Sequence, residues 1–560
     1  MNVLGIHIFG HDTGAAVLTP QLCVSISEER LSRIKHDTAP PEQAIRYCLE
    51  AAGLSLSEIN LIVYSGNFGR FPQARIEDFF RKSFGWYDPN KFLTADHHVL
   101  HAWGAIAMAR MSEAVVLVVD GNGSLIQQER NLPKVANCHP SHFSISETIK
   151  ASMFRFSDGE LRRIKYFTCP PGIGALYSTF TQYLGFGTLD AGKTMGLAAY
   201  SRGRERQPPH KIYVKEANES GDLVFSYHPQ THDLDILSIL LGHEPRTTKT
   251  PLPDPFYDEV AGLIQRSCEA WLLDALEYLA SITKAPSVIL SGGVALNCKA
   301  NQVIENSGLF ENYFFFPAAS DTGIPLGAAI LGWQQLGGVY HDLDVSKMYM
   351  GRPYEESEIR AAYKNFDGQV EVLESDDIPA VVAQDLSSGR VVGLFQGRAE
   401  LGPRALGNRS ILADPRQVRF RDILNDRVKK REPWRPFAPA VLAEDYGFYF
   451  EGNPVTKGYM NVSDTVREEV RTKIPAVTHV DGTARPQVVS GESNPLLYEI
   501  ISRFKTITGV GAVINTSFNI AGQPIVETPL DAIECLLNTD LDAVAFPTSF
   551  VRKVKPGFVR

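Results

Sequence analysis

The sequence predicts an α/β protein with two domains, and three observations lead to this prediction. Short apolar runs alternate with segments of helical character along most of the 560 residues, as strands and helices do in α/β proteins. Several apolar runs end in a glycine-containing turn, as at Ser291-Gly292-Gly293. Residues 337–353 show no sustained period. We therefore predict a linker there, with one domain over residues 1–350 and a second over residues 351–560.

The first part of the chain begins with a predicted strand pair. In this part of the chain, strands are predicted at residues 3–8, 14–19, 22–26, 61–64 and 114–119. Gly10-His11-Asp12-Thr13 separates the first two runs, which predicts a tight turn between them. Pro40 and Pro41 open a predicted helix that ends at about Gly53, because proline is tolerated in the first helical turn. Residues 100–111 also have helical character.

The later elements continue the alternation. Strands are predicted at residues 288–290, 314–316, 391–394, 512–514 and 543–546. Helices are predicted from about Ala295 and over residues 326–331. No internal repeat is visible. The last three strands follow the linker, so we assign them to the second domain.

The composition excludes several classes of protein. Hydrophobic residues make up 44% and charged residues 21%, which is typical of a globular protein. The net charge of −9 gives no general attraction to nucleic acid, so we expect no nucleic-acid partner. No apolar run approaches the roughly 18 residues that a membrane span needs, and the first residues lack a signal-peptide pattern. The seven cysteines contain no C-x-x-C pair and indicate reduced thiols, so we expect a cytoplasmic protein.

A histidine block suggests a metal site. In His97-His98-Val99-Leu100-His101, positions 97 and 101 share one face of a helix, while His98 and His101 form a competing pair. Asp120 and Asp321 each follow a predicted strand and precede a glycine. Two imidazoles with two carboxylates suit Fe(II), Mn(II) or Zn(II). The alternative is that the histidines are ordinary core or surface residues.

Glycine turns suggest a phosphate site. The turns at residues 10–13, 120–123 and 291–293 would let backbone N–H groups approach a phosphate. A fourth segment, residues 190–196, places Lys193 among glycines, where its amine could reach a phosphate. Each turn alone is a weak signal, and the alternative for residues 190–196 is a solvent-exposed turn.

The second domain contains two cationic segments, GRAELGPRALGNRS at residues 397–410 and KKREPWRPF at residues 429–437. Glycine, proline and aromatic residues between the cations fix the shape of the backbone. Such a pattern favours a rigid pocket for a small anion such as an acyl phosphate. Arg485 and the stretch 513–519 add one more cation and polar residues at a strand end. The alternative is a solvated charged surface.

The motifs together resemble those of the O-carbamoyltransferases of the NodU/CmcH/TobZ type, over almost the whole chain. The matching motifs are H-D-x-x-A-A at 11–16, E-E-R at 28–30, H-H-x-x-H at 97–101, K-x-M-G-L-A at 193–198, S-G-G-V-A-L-N at 291–297, D-x-G-x-x-L-G-A-A at 321–329 and G-P-R-A-L-G-N-R-S-I-L-A-D-P-R at 402–416. The last of these is the most specific single motif.

The resemblance implies a fold and a reaction. The N-terminal domain would be a TsaD-like domain of the actin-like fold, and the C-terminal domain would be a YrdC-like α/β domain. The second domain would convert carbamoyl phosphate and ATP, with Mg²⁺, to carbamoyladenylate. The first would transfer the carbamoyl group to a hydroxylated small-molecule acceptor, as in natural-product tailoring.

The resemblance also implies site residues. Fe(II) or another divalent metal would be held by His97, His101, Asp120 and Asp321. The nucleotide would be held by Lys193, Gly292, Gly293 and Asn297. The carbamoyl phosphate pocket would be lined by Arg404, Lys429, Arg435, Arg485 and Asn515. His11 would be the general base, and Arg404 would stabilise charge during the first step.

Two other functions remain open from the sequence. The same two domain types occur in threonylcarbamoyladenosine-type tRNA-modifying enzymes, although the acidic balance disfavours a tRNA surface. A non-catalytic carbamoyl phosphate or nucleotide binding protein is the third reading. The sequence does not distinguish between acceptors, metals or oligomeric states.

Overall fold

The computed structural model describes residues 1–65, 72–121, 123, 148–168, 171–201, 212–217, 222–227, 233–339 and 348–554. Strands and helices alternate along these residues, which confirms the predicted α/β class. The chain forms two compact units, one of Met1–Cys23 with Thr38–Ser346 and the other of Val24–Asp37 with Lys347–Arg560. The sequence predicts one domain over all of residues 1–350, whereas residues 24–37 pack with the second unit.

The strands, numbered in chain order, are β1 (Val3–His7), β2 (Gly14–Leu18), β3 (Cys23–Ser27), β4 (Leu61–Ser65), β5 (Phe92–Ala95), β6 (Glu113–Val119), β7 (Ala151–Ser157), β8 (Glu160–Phe167), β9 (Tyr213–Ala217), β10 (Leu223–Tyr227), β11 (Ser287–Ser291), β12 (Asn312–Phe315), β13 (Val370–Glu374), β14 (Val392–Phe395), β15 (Arg409–Ala413), β16 (Ala438–Leu442), β17 (Asp464–Thr465), β18 (Thr483–Ala484), β19 (Gln487–Val489), β20 (Ala512–Ser517), β21 (Ala543–Ala545) and β22 (Ser549–Lys553).

The α-helices are α1 (Glu29–Ser32), α2 (Glu42–Ala52), α3 (Pro72–Phe84), α4 (His97–Ala109), α5 (Ile173–Tyr183), α6 (Ala191–Ala198), α7 (Leu234–Leu241), α8 (Pro255–Thr283), α9 (Cys298–Asn306), α10 (Ile324–Gln335), α11 (Glu356–Lys364), α12 (Ile378–Ser387), α13 (Arg419–Ile423), α14 (Tyr446–Tyr449), α15 (Pro495–Thr508) and α16 (Pro529–Leu537).

One strand topology occurs twice in the first unit. In the first sheet β2, β1, β4 and β5 lie side by side, with β1 antiparallel to β2 and parallel to β4. In the second sheet β7, β6, β11 and β12 repeat this arrangement, and β8 extends it beside β7. No repeat was visible in the sequence, because strand pairing constrains the pattern of apolar residues and not their identity.

Helix α10 packs against β1 and α4 and joins the first sheet to the histidine-bearing helix. Glycine makes this packing close: a Cβ on Gly327 would lie 1.9 Å from the carbonyl oxygen of Leu100, and one on Gly5 would lie 2.1 Å from that of Pro325. The backbones therefore approach more closely than any side chain would allow.

The second unit is built on one mixed sheet of eight strands in the order β13-β22-β21-β14-β15-β20-β16-β19. Helices α12 and α15 pack against each other beside this sheet. Residues 24–37 bind to backbone carbonyl oxygens elsewhere in the second unit. Arg33 donates to the carbonyl oxygens of Ile525 at 2.7 Å and Pro524 at 2.9 Å, and the Ser25 N–H donates to Met350 at 2.9 Å.

Most predicted elements are confirmed within a few residues, including α2 with Gly53 as its C-cap. Two predictions need correction. Residues 190–196 are predicted to form a glycine-containing loop, with a solvent-exposed turn as the alternative, but Ala191–Ala198 is helical and buries Thr194, Gly196 and Leu197. The helix expected from about Ala295 begins at Cys298, after a 3₁₀ turn over Gly293–Leu296.

Two further sequence expectations bear on the described residues. No helix in the described part of the chain is long and apolar enough to cross a membrane. Five cysteines in the described ranges are buried and form no disulfide, namely Cys23, Cys48, Cys268, Cys298 and Cys535. Cys138, Cys169 and residues 340–347 of the predicted linker lie outside the described residues.

Candidate active site

Three separate elements of the first unit carry the predicted metal ligands. His97 is the first residue of α4, whose start is fixed by the Asp96 Oδ1, which accepts the Val99 N–H at 2.8 Å. Asp120 directly follows β6, and Asp321 opens a 3₁₀ turn after β12. Strands β6 and β12 both lie parallel to β11 in one sheet. Both aspartates therefore emerge from the same carboxyl edge, where α/β sheets place their ligand sites.

The structure brings His97, His101, Asp120 and Asp321 together. The two Nε2 atoms lie 3.2 Å apart, and each lies 3.2 Å from the Oδ2 of Asp120. The Oδ1 of Asp321 is 3.3 Å from the Nε2 of His97 and 3.4 Å from that of His101. Four donor atoms on three elements thus converge on one point.

His98 does not belong to this cluster. It is fully buried on another face of α4, and its Nδ1 lies 2.9 Å from the Ser152 hydroxyl. Burial lowers the pKa of His98 to about 3, so its ring stays neutral. The geometry selects His97 with His101, the pair that are four residues apart.

The histidines and aspartates of this cluster shift one another's pKa values. Burial alone would lower the pKa of His97, but the adjacent charges of Asp321 and Asp120 outweigh burial and raise it to about 10. The pKa of His101 is raised in the same way. Burial opposes ionisation of the carboxyl groups, yet the histidines hold the pKa values of Asp120 and Asp321 below their usual range. The site therefore keeps two carboxylates charged while buried, a state that needs positive charge beside them.

These residues fit a divalent cation. Ligand atoms about 2.1 Å from a tetrahedral metal lie about 3.4 Å from one another, and cis ligands of an octahedral metal lie about 3.0 Å apart. The separations that involve the histidine nitrogens, 3.2–3.4 Å, fall in this range, and all four ligand atoms lie within 4.8 Å of one another. Two nitrogen and two carboxylate ligands suit Fe(II), Mn(II) and Zn(II) equally.

His7 is a site residue that the sequence analysis missed. It ends β1, is fully buried, and its Nε2 lies 3.2 Å from the Oδ2 of Asp321 and 3.1 Å from the carbonyl oxygen of His11. Because both neighbours accept hydrogen bonds, Nε2 carries the proton, and the Ser65 hydroxyl lies 2.7 Å from Nδ1. His7 thus fixes the oxygen of Asp321 that faces away from the other histidines. The one signal in the sequence was a histidine at the end of an otherwise apolar strand.

His11 lies in the turn between β1 and β2 and borders the cluster. Its Nδ1 is 3.1 Å from the Oδ2 of Asp12 and 3.9 Å from the Oδ2 of Asp321. The hydrogen bond to Asp12 raises the pKa of His11 to about 9, against burial, and the charges of Asp321 and Asp120 add to this effect. The Asp12 bond holds the Nδ1–H, so Nε2 is the nitrogen that exchanges a proton.

Of the predicted nucleotide residues, the glycines lie beside the cluster. A Cβ on Gly293 would lie 3.1 Å from the Oδ1 of Asp120, and one on Gly292, at φ +85°, would meet the Val119 carbonyl oxygen at 2.3 Å. Asn297 caps α9 and exchanges amide hydrogen bonds with Gln265 at 2.9 and 3.0 Å. Lys193 lies in the first turn of α6, with its amine 3.1 Å from Asp190. Asn122, from the predicted turn at 120–123, lies outside the described residues.

In the second unit, two cationic segments lead into strands that flank β20. The 402–408 loop enters β15, and residues 429–437 enter β16. Both strands are antiparallel to β20, so their starts lie beside its carboxyl end, which carries Asn515. The Nδ2 of Asn515 donates to Gln487 at 2.8 Å and to the Ala405 carbonyl oxygen at 3.4 Å. Asn515 is therefore tied to the residue that follows Arg404.

The segment 429–437 folds around the buried amide of Asn425. Its Nδ2 donates to the carbonyl oxygens of Arg435 at 3.0 Å and Pro433 at 3.2 Å, and its Oδ1 accepts from the Nε of Arg431 at 2.8 Å. Burial lowers the pKa of Arg431, and the positive charges of Arg435 and Arg485 lower it further. Arg431 was not singled out in the sequence, and it joins these cations. The cluster concentrates positive charge in a protein of net charge −9.

Lys429, at the start of the same segment, is buried. Its amine donates to the carbonyl and hydroxyl oxygens of Ser517 and to Asn519, whose Oδ1 lies at 2.7 Å. Burial lowers the pKa of Lys429 well below its usual value, and the charges of Arg431 and Arg435 act in the same direction.

Two buried polar atoms near the cations have no hydrogen-bond partner among the described residues. They are the Nε of Arg485, a donor, and the Oδ1 of Asn515, an acceptor. Gln487, two residues after Arg485, accepts a hydrogen bond from Asn515. A ligand that offers both an anionic oxygen and an N–H would satisfy both atoms.

Comparisons with known proteins identify the family of the chain. The family described as "Carbamoyltransferase N-terminus" matches residues 2–83 and 85–330, and "Carbamoyltransferase C-terminus" matches residues 383–553. Nodulation protein NolNO of Sinorhizobium fredii is 33% identical, over 97% of this chain and 79% of its own length. The 3'-hydroxymethylcephem-O-carbamoyltransferase of Streptomyces clavuligerus is 29% identical, over 94% of each chain. Among solved structures, full-length HypF has a TM-score of 0.36 at 12% identity, covering 60% of this chain and 56% of its own.

The family matches and the O-carbamoyltransferase relatives show that this two-unit α/β protein is an enzyme of the transferase class. The chain belongs to the carbamoyltransferase family, because the two family matches span most of its length. The resemblance predicted from the sequence motifs is thereby confirmed.

Proposed function

We propose that this protein is an ATP-dependent O-carbamoyltransferase that makes carbamoyladenylate and transfers its carbamoyl group to a hydroxyl of a small-molecule natural product. The proposal is supported by the two sites on one chain, a mixed nitrogen and oxygen cluster in the first unit and a cation cluster in the second. The printed name of the cephem relative, which states O-carbamoyl transfer to a hydroxymethyl compound, supports the choice of a hydroxyl as acceptor.

The first step belongs to the second unit. Arg404, Arg435 and Arg485 would bind the phosphate of carbamoyl phosphate, because guanidinium groups match phosphate oxygens with paired hydrogen bonds. The unpaired Oδ1 of Asn515 would accept from the carbamoyl NH₂. Water cleaves the bond between the carbonyl carbon and the phosphate oxygen, which gives carbamate and phosphate. A carbamate oxygen then attacks the α-phosphorus of ATP, held with Mg²⁺, and pyrophosphate leaves.

The second step belongs to the first unit. The hydroxyl oxygen of the acceptor attacks the carbonyl carbon of carbamoyladenylate, the bond from that carbon to the adenylate oxygen breaks, and AMP leaves. The hydroxyl proton moves to the Nε2 of His11, while Asp12 holds the opposite side of the ring at 3.1 Å. Enclosure of the adenylate protects it from water.

His97, His101, Asp120 and Asp321 would hold Fe(II) or another divalent metal, which supplies Lewis acidity toward a carbonyl oxygen when bound. The same two aspartates raise the pKa of His11. Compensation of their charge would therefore lower the pKa of His11 toward the range in which a histidine accepts a proton at neutral pH.

We also propose the finer fold assignments. The repeated strand topology of the first unit supports a TsaD-like domain of the actin-like fold, with Gly292, Gly293, Asn297 and Lys193 on the nucleotide side. The mixed eight-stranded sheet of the second unit supports a YrdC-like domain. The division of the reaction between the units follows from these assignments.

The test is pyrophosphate release from ATP, measured with and without carbamoyl phosphate. The proposal predicts release that depends on carbamoyl phosphate and is accompanied by AMP once a hydroxylated acceptor is present. Release that is independent of carbamoyl phosphate would rule out the first step, and pyrophosphate without carbamoylation across an acceptor panel would rule out the second.

A further inference from the structure

A buried glutamate lies at the centre of the loop that carries Arg404. Glu400 is 3% exposed, and its Oε1 accepts the backbone N–H groups of Leu406 at 2.7 Å, Asn408 at 2.7 Å and Arg409 at 3.1 Å. The chain between Glu400 and Arg409 is thereby closed into a loop around one carboxylate oxygen. Gly402 and Gly407, at φ +91° and +106°, provide the left-handed turns that this closure requires.

A buried arginine from the start of the chain holds the same loop from outside. Arg30 is 5% exposed, and its Nη2 donates to the carbonyl oxygens of Glu400 and Gly402, both at 3.0 Å. Arg30 belongs to the segment 24–37 of the second unit, so this contact lies within one unit. Arg30 thus holds the carbonyl oxygens at the beginning of the loop, and Glu400 holds the N–H groups at its end.

The far side of the loop is bound to the anion site. The Leu406 carbonyl oxygen accepts from Gln487 at 2.8 Å, and the Ala405 carbonyl oxygen accepts from Asn515 at 3.4 Å. Arg404 therefore lies between two fixed backbone regions, residues 400–402, which Arg30 holds, and residues 405–409, which Glu400, Gln487 and Asn515 hold.

We propose that Glu400 and Arg30 are positioning residues that set the place of Arg404 against its anionic substrate. The inference rests on the proposed function and deepens it, because it names the residues through which Arg404 acts. Removal of the Glu400 carboxylate leaves three N–H groups without their partner, and unpaired buried donors are destabilising. The loop would relax to repair this loss and would displace Arg404.

A small cavity makes the idea directly testable. The Oε2 of Glu400 and the Nη1 of Arg30 have no hydrogen-bond partner among the described residues. Both residues line a small cavity that also borders Ser27 and Gly351. Truncation of Glu400 would enlarge this cavity by the volume of an acetate ion and leave the three N–H donors and the guanidinium facing it. A small carboxylate added to the solution would then take the place of the missing side chain.

The experiment measures carbamoyl-phosphate-dependent pyrophosphate release by Glu400→Ala in the full chain, with and without sodium acetate or formate. We expect kcat/KM for carbamoyl phosphate to fall about 100-fold, as misplacement by about 1 Å does in other enzymes, with KM raised. Acetate should restore part of it, and chloride at the same ionic strength should not. Glu371→Ala, which changes an exposed glutamate on the edge strand β13, is the matched control and should behave as wild type.

Two further variants separate positioning from loss of folding. Glu400→Gln retains an oxygen that accepts from backbone N–H groups and should keep most of the activity. Arg30→Met should raise KM for carbamoyl phosphate, and in an Arg404→Lys background its further effect should shrink, because the two residues act through one another. A wild-type KM in Glu400→Ala and Arg30→Met, or fully additive effects, would overturn the inference. Absence of activity in the wild-type protein would instead contradict the proposed function.

Discussion

The Nε2 atoms of His97 and His101 lie 3.2 Å apart, and both lie 3.2 Å from a single oxygen of Asp120. Together with Asp321, these groups place four ligand atoms where they could hold one metal ion. The relationship defines the site in the first unit, and the first two predictions below depend on it.

The first prediction concerns metal binding. His101→Asn removes one of two nitrogen ligands and should lower the bound metal per chain by at least about tenfold after dialysis, as measured by elemental analysis. His98→Asn is the matched control, since His98 is equally buried on the same helix but contacts Ser152. Equal metal loss in both variants would show that the site was assigned to the wrong histidines.

The second prediction concerns pH. Burial lowers the pKa of His97, but Asp321 and Asp120 raise it to about 10 in the metal-free protein. An unfolded histidine has a pKa of about 6.5, so this contribution to stability is complete below that pH and is lost as the pH rises toward about 10. A metal needs neutral imidazoles and competes with these protons.

Metal addition should therefore raise Tm more at about pH 8.5 than at about pH 6. Differential scanning calorimetry of chelator-treated protein, with and without Mn(II), checks this. An equal or larger rise at the lower pH would contradict the proposed ligand set.

The third prediction concerns the anion pocket. Arg404→Ala should abolish pyrophosphate release that depends on carbamoyl phosphate. The phosphate would lose a guanidinium that donates paired hydrogen bonds and stabilises the charge that develops in the first step. Arg404→Lys should retain a small fraction, since an ammonium group keeps the charge without the fork. Arg503→Ala, on the exposed face of α15, is the control. Full turnover in Arg404→Ala would remove this residue from the pocket.

The fourth prediction separates the two half-reactions. His11→Asn should leave pyrophosphate release nearly unchanged and slow carbamoyl transfer by about 10²–10⁴-fold, the usual contribution of a general base. The readout is the ratio of pyrophosphate to carbamoylated product. If both fall together, His11 acts in the first step or in folding, and its assignment as base is wrong.

The fifth prediction concerns the packing of the glycine turn beside the metal cluster. Gly292→Ala should cost about 2–5 kcal/mol in free energy of unfolding, because overpacking adds to the left-handed cost. The new Cβ would lie 2.3 Å from the Val119 carbonyl oxygen. Gly308→Ala, at φ +65° with no atom within 4 Å, carries the left-handed cost alone and should lose about 1–2 kcal/mol. Urea denaturation compares the two, and equal losses would refute the clash.

Local patterns predicted much of the fold and part of the site. The four-residue spacing of His97 and His101 identifies a shared helix face, because helical periodicity is local. Asp120 and Asp321 were predictable from strand ends, since parallel strands place their carboxyl ends at one edge. The resemblance favours His97 with His101, and this is the pair that the geometry brings together.

Contacts between residues that are far apart in the chain could not be predicted from the sequence. The Arg30 guanidinium contacts Gly402 across 372 positions of the chain, and no local pattern assigns residues 24–37 to the second unit. In the sequence, Glu400 is one charged residue in a cationic segment. In the folded protein the loop closes around its side chain, with Gly402 and Gly407 in left-handed conformations. In the sequence, His7 is a residue near the end of a predicted strand, and its contact with Asp321 is visible only in the folded protein. In each case the partner lies on another element, and the pairing exists only in the folded chain.

The central claim is transfer of a carbamoyl group from carbamoyl phosphate to an acceptor hydroxyl with consumption of ATP. The most direct test is mass spectrometry of a panel of hydroxylated natural products incubated with the metal-loaded enzyme, ATP, Mg²⁺ and ¹³C-carbamoyl phosphate. The account predicts an acceptor that gains one ¹³C-carbamoyl group only when ATP is present, with AMP formed in equal amount. A carbamoylated product formed equally well without ATP would contradict it.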